Sequence, residues 1–137
     1  AERDVIPYAE AARRVVIAYS PLAQGFLSGR YDASTRPSGL VRRQSRLFRP
    51  ESFERHAELL AVLREVADAH EVSSSQVALA WAIRSENVVA IPGASSVEQV
   101  ESNAAAADLP LHDDEIRALS DAARATSAPV RAVPRGT

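Results

Sequence analysis

Apolar and polar positions divide the chain into five stretches of helical spacing and two unbroken apolar runs. Asp4 to Arg14 reads as a short amphipathic helix, with Asp4 as N-cap, Pro7 in the first turn, and Val5, Ile6, Ala9 and Ala12 on one face. Val15-Val16-Ile17-Ala18-Tyr19 follows without polar alternation, which predicts a strand buried on both faces, ended by Ser20-Pro21. Glu51 to His70 reads as one helix with Leu59, Leu60, Leu63, Val66 and Ala67 on one side. Ser73 and Gln76 form a capping box before Val77–Ile83, apolar nearly all round and therefore expected to be buried. Val88-Val89-Ala90-Ile91 is the second buried strand, closed by Pro92-Gly93. A helix is expected from near Ser95 to about Ala107, with Glu98 in the capping-box position. The last helix spans Asp113 to Arg124, with Ile116, Leu119 and Ala123 on one face.

Residues 29 to 50 are the least regular segment, with Gly29, Pro37, Gly39 and Pro50 among six Arg. A connection this long is usually functional or mobile. Two all-apolar strands joined through helices require a parallel pair. Two strands cannot shield their own edges, so the pattern predicts a section of a larger parallel α/β architecture.

Composition narrows the chemistry. The 137 residues are 46% hydrophobic and 25% charged, with formal net charge −2. That suits one folded domain, excludes a disordered acidic chain, and gives no global argument for nucleic acid. No apolar run reaches the ~20 residues of a membrane helix. Zero Cys removes thiolate metal sites and Cys nucleophiles, and is compatible with the cytoplasm, the expected location. All sixteen basic residues are Arg; with no Lys there is no lysine base or Schiff base. No Met is present either, and neither a signal-peptide nor a transit-peptide pattern opens the sequence.

Two motifs carry candidate chemistry, and each directly follows a strand. In Ile91-Pro92-Gly93-Ala94-Ser95-Ser96, Gly93 lets the backbone turn closely and the serines open a helix whose free N–H groups suit an anion. Ser95, Gln99 and Asn103 share a helical face, and Val97, Val100 and Ala104 are expected to face the core. The alternative is a capped helix with a polar outer face. In Tyr19-Ser20-Pro21-Leu22-Ala23-Gln24-Gly25, the Tyr suits stacking on a flat ring and Ser20 suits a phosphate; the alternative is a strand-terminating turn with a partly buried Tyr. Parallel α/β proteins bind ligands at the carboxyl ends of their strands.

From Val16 through Tyr31, at Ser75–Trp81 and from Ile91 through Asn103, the sequence strongly resembles the aldo-keto reductase family, in its bacterial and potassium-channel-β-like branch. The resemblance extends over essentially Glu2 to Arg124. It implies an α/β chain, the C-terminal portion (last two strands and their helices) of a (β/α)8 TIM barrel, over residues 1–125; the Pro- and Arg-bearing remainder, 126–137, reads by its composition as a loosely ordered tail. It implies hydride transfer from NADPH to an aldehyde or ketone. By the same carry-over Tyr19 stacks on the nicotinamide, and Ser20, Pro21, Leu22, Gln24 and Arg30 line the pyrophosphate. Gly93 and Ser95 lie near the adenosine phosphate, with Gln99 and Asn103 at the adenine end. Ser102 replaces the family's usual Glu, and Ser95 stands where many members carry Arg or Lys, so NADH is admitted beside NADPH.

The family's catalytic Asp, Tyr, Lys and His are not expected in this chain, which has no Lys and whose Tyr8 and Tyr31 do not match the tetrad position. A whole barrel needs ~250 residues, so the expectation is a fragment, a truncated reading frame, or a chain completed by another part, without turnover on its own. Partners are then a small carbonyl substrate and either the remaining half of the barrel or a second copy, with no nucleic acid and no membrane. Two other readings remain: an NADPH-sensing module acting through a partner, and a helix-rich interaction module that binds no cofactor. The Arg-rich loop is either solvated or folds over cofactor phosphates; a nucleic-acid patch is the remote third reading. Trp81 is expected in the core. His56, His70 and His112 are dispersed without ligand spacing, so no metal site is expected. Asp113-Asp114-Glu115 reads as acid complementing a helix dipole.

Overall fold

The structure, a computed structural model, describes residues 4–35, 37–38 and 44–127. Its elements run α1 (Val5–Ala11), β1 (Val16–Tyr19), a 3₁₀ segment (Ala23–Ser28), a 3₁₀ turn (Arg46–Phe48), α2 (Pro50–Arg55), α3 (Ala57–Ala69), α4 (Ser74–Ala82), β2 (Val88–Ile91), α5 (Val97–Ala105), a 3₁₀ turn (Ala106–Asp108) and α6 (Asp113–Ser127). Both strands stand within a residue of expectation and pair in parallel, in the register Val16↔Val88 to Tyr19↔Ile91.

The strands are not buried on both faces. Val16, Ala18, Val88 and Ala90 turn inward, whereas Ile17 (64% exposed), Tyr19 (85%), Val89 (50%) and Ile91 (49%) lie open. The described helices cover only one side of the sheet, so the other apolar row is left open among the described residues.

The core lies among the helices. Leu59, Leu63, Val66 and Ala67 of α3 pack with Val77 and Ala78 of α4 and Leu119 and Ala122 of α6. Ser73 caps α4 in the expected box with Gln76. Trp81 is half-buried against this core and donates its indole N–H to buried Ser120 at 3.2 Å. A second cluster holds Phe26, Phe48 and Phe53, with Tyr31 edge-on to Phe48. It folds one end of the irregular 29–50 segment into the interior through Phe48, while Arg36, Arg42 and Arg43 lie outside the described residues.

Three helical expectations are corrected. The 51–70 stretch breaks at His56 (φ −102°, ψ 12°), whose ring packs edge-on against Phe26 and whose Nδ1 lies 2.7 Å from the Ser52 carbonyl. Only Ala9 of the α1 apolar face is buried, and Asp4 makes no side-chain cap bond. α5 buries no residue: Val97 (74% exposed) lies open, Val100 (57%) borders an open cleft against α4 and β2, and Gln99, Ser102 and Asn103 are half-buried. The closing helix runs to Ser127, past the expected boundary at 125; residues 128–137 of the expected tail lie outside the described residues. No described helix is long and apolar enough to cross a membrane.

Candidate functional site

The parallel register places Tyr19 beside Ile91, the last pair of the two strands. The loops that follow therefore leave the same end of the sheet side by side; of the ten residues singled out from sequence, Tyr19 ends β1 and the other nine lie on these loops or on the helix just beyond. Tyr19 presents a freely exposed ring.

The first loop is anchored from below and strained above. Leu22 and Leu27 pack on the main helical core, and Phe26 is almost wholly buried. Leu22 is half-buried there, and its carbonyl accepts from the Gly25 and Leu27 N–H groups. Ser20, Ala23 and Gln24 take left-handed backbone angles (φ 52°, 49° and 59°), as does Gly25 at 94°. For non-glycine residues this costs about 1–2 kcal/mol each, and such strain clusters at ligand clamps. The loop holds the shape by bonding Ala23 N–H to the Ser20 carbonyl and Gly25 N–H to that of Leu22, both at 2.9 Å. Ser28 Oγ donates to the Gly25 carbonyl at 2.6 Å and accepts from Arg30 N–H at 3.3 Å. Pro21 is half-buried, and Gln24 and Arg30 are exposed.

Beyond Arg30, Asp32 closes a tight turn. Its Oδ1 accepts from the Ser34 hydroxyl (2.7 Å), the Thr35 N–H (2.6 Å) and the Ser34 N–H (2.8 Å). These donors, the Ser34 hydroxyl foremost, hold the carboxyl at about 2, below its ordinary 3.8.

The second loop differs from expectation in its cap. Ser96, not Ser95, caps α5, accepting from Gln99 N–H at 3.2 Å, and Glu98 takes no part. Ser95 donates from N–H and Oγ to Gln99 Oε1 at 2.8 and 3.1 Å, so these two residues hold each other. Gly93 has no left-handed angle, and a Cβ there meets nothing within 4 Å. The chain itself does not need glycine at this point; the backbone borders open space. Asn103 lies half-buried in a mainly apolar cleft of about 480 Å³ between α4, β2 and α5, whose lining includes Ala90, Pro92 and Val100. Val100 and Ala104 of the expected core row line this cleft together with Asn103, whereas Val97 lies open.

Among the described residues His70, His112 and Glu115 bring donor atoms within 4.8 Å of one another. This trio is absent from the sequence reading, because 45 residues separate His70 from Glu115.

The chain is similar to proteins of one known family. Residues 1–124 match the model of the aldo/keto reductase family. The chain is 54% identical over 122 residues to the uncharacterized oxidoreductase Rv2298 of Mycobacterium tuberculosis, covering 89% of this chain and 38% of that protein. It is 33% identical over 121 residues to methylglyoxal reductase YeaE of Escherichia coli, covering 88% and 34%. Among solved structures it superposes on a glycerol dehydrogenase of Gluconobacter oxydans with TM-score 0.80 and 28% identity, over 98% of this chain and 42% of that one. The chain thus spans little more than a third of the length of the curated relatives it matches.

Proposed function

The chain belongs to the aldo/keto reductase family, and on that premise we propose that it is the cofactor-holding, C-terminal portion of a (β/α)8 barrel oxidoreductase. The observation that carries this reading is the Tyr19↔Ile91 register, which sets both candidate loops at the carboxyl end of the sheet. Ligands bind at that end of parallel α/β folds.

The residues present fit a dinucleotide. Tyr19 offers an uncovered ring for the nicotinamide. The strained loop of Ser20, Pro21, Leu22 and Gln24 borders the pyrophosphate, with Arg30 as its cation. Gly93 leaves room where a side chain would stand, and Ser95 donates to the adenosine phosphate. Gln99 and Asn103 face the adenine end. Ser95 and Gln99 must release one another to do this, so part of their binding energy is offset. NADPH is the cofactor we assign, with NADH admitted because Ser95 supplies no cation. When bound, NAD(P)H supplies the hydride for reduction of a carbonyl.

On this reading the proton donor and the rest of the catalytic tetrad lie outside these residues, none of which is Lys. The open row of Ile17, Tyr19, Val89 and Ile91 becomes barrel interior, covered by the remaining strands or, failing those, by a second copy of the chain. The substrate class is a small aldehyde or ketone, a reading that the likeness to a methylglyoxal reductase supports. NADPH fluorescence titration of wild type and Asn103→Ala tests the site. Loss of one hydrogen bond weakens binding by about 0.5–1.5 kcal/mol. Unchanged affinity contradicts the adenine assignment.

A further inference from the structure

His70 closes the C-terminal end of α3, and His112 and Glu115 open α6, so helices that pack in the main core bring three metal-type donors to one spot. His70 Nε2 lies 2.8 and 3.0 Å from the two Glu115 oxygens, and the two side chains are each only 15% exposed. Glu115 is held from behind: its Oε2 accepts the His112 backbone N–H at 2.8 Å. The His112 ring sits 5.7 Å from the His70 ring, centre to centre, and the residue is exposed.

We propose that His70, His112 and Glu115 form a binding site for a divalent transition-metal cation of the Zn²⁺ type, clipping the end of α3 to the start of α6. Two imidazoles and a carboxylate with one position left open are a zinc-type donor set, and imidazole disfavours Mg²⁺ and Ca²⁺. The fit needs little movement. Zinc bonds of ~2.0–2.1 Å at a tetrahedral angle set neighbouring donors about 3.3 Å apart. The His70–Glu115 pair stands about half an ångström inside that spacing and opens by a small side-chain shift. The third donor already lies within 4.8 Å, and its exposed ring is free to turn. Glu115 keeps its bond from the His112 N–H while it ligates, as metal-bound carboxylates usually keep a second partner. No residue assigned above to the cofactor belongs to the trio, so this inference does not rest on the cofactor reading.

The test is calorimetric titration of the tag-free, chelator-treated protein with Zn²⁺, with Co²⁺ absorption as a spectroscopic counterpart. Wild type takes up one equivalent, Co²⁺ gives the visible bands of a low-coordinate site, and the thermal midpoint rises with Zn²⁺. His112→Ala leaves the metal-free midpoint unchanged, since the exposed ring supports no core, and weakens Zn²⁺ binding at least about tenfold. His56→Gln, which alters the one histidine outside the trio, leaves uptake unchanged. Absence of saturable uptake, or wild-type affinity in His112→Ala, overturns the proposal.

Discussion

Tyr19 and Ile91 are partners in the parallel register and the last residues of their strands, so everything that follows them in the chain starts from one edge. That relationship turns two motifs separated by some seventy residues of sequence into one candidate site. It also sets Tyr19 at the rim of an apolar row that the described helices leave open.

Gly93 separates folding from binding. Because a Cβ at Gly93 meets nothing within 4 Å, Gly93→Ala leaves the denaturation midpoint nearly unchanged. The same methyl intrudes on a ligand that approaches the backbone closely, so NADPH affinity falls. Affinity measured by fluorescence titration that stays at the wild-type value places the cofactor elsewhere.

Phe26 joins the strained loop to the interior. It is 1% exposed, with its ring 4.8 Å from that of Phe53 and 5.9 Å from that of Phe48. Phe26→Ala therefore costs about 3–5 kcal/mol in urea unfolding and frees the loop from its anchor. A loss below about 1 kcal/mol means that the aromatic cluster does not hold the loop.

Much of this arrangement is readable from the residues alone. Unbroken β-branched runs predict both strands, and Ser73 with Gln76 predicts the start of α4. Exposure is less readable, because an apolar run signals what a strand is suited to meet, not whether a neighbour is present; Ile17 and Val89 show the difference. α5 is the clearest failure. Val97, Val100 and Ala104 look like a core face by spacing, yet none is buried: Val97 lies open, and Val100 and Ala104 only line an open cleft that they share with Asn103. The His70–Glu115 contact and the break at His56 both depend on side chains meeting across the fold, which local spacing does not encode.

Asp32 carries an acid-range prediction. Its folded-state value of about 2 lies below the ordinary 3.8. The turn's contribution to stability is therefore fully present above about 3.8, and is lost as pH falls from there through about 2. Carboxyl NMR detects an Asp32 midpoint near 2, with the Ser34 and Thr35 amide signals moving in step. A midpoint at 3.8 means that the turn is not formed in solution.

The central claim, that these two loops hold a nicotinamide dinucleotide, is tested most directly by a thermal-shift titration of the purified protein with NADPH and, in parallel, NADH. A ligand bound by the folded state raises its stability by RT ln(1 + [L]/Kd), about 2.7 kcal/mol at a hundred times Kd. The account predicts one cooperative transition whose midpoint climbs with NADPH and, to a smaller extent, with NADH. A cooperative transition that neither nucleotide moves contradicts it.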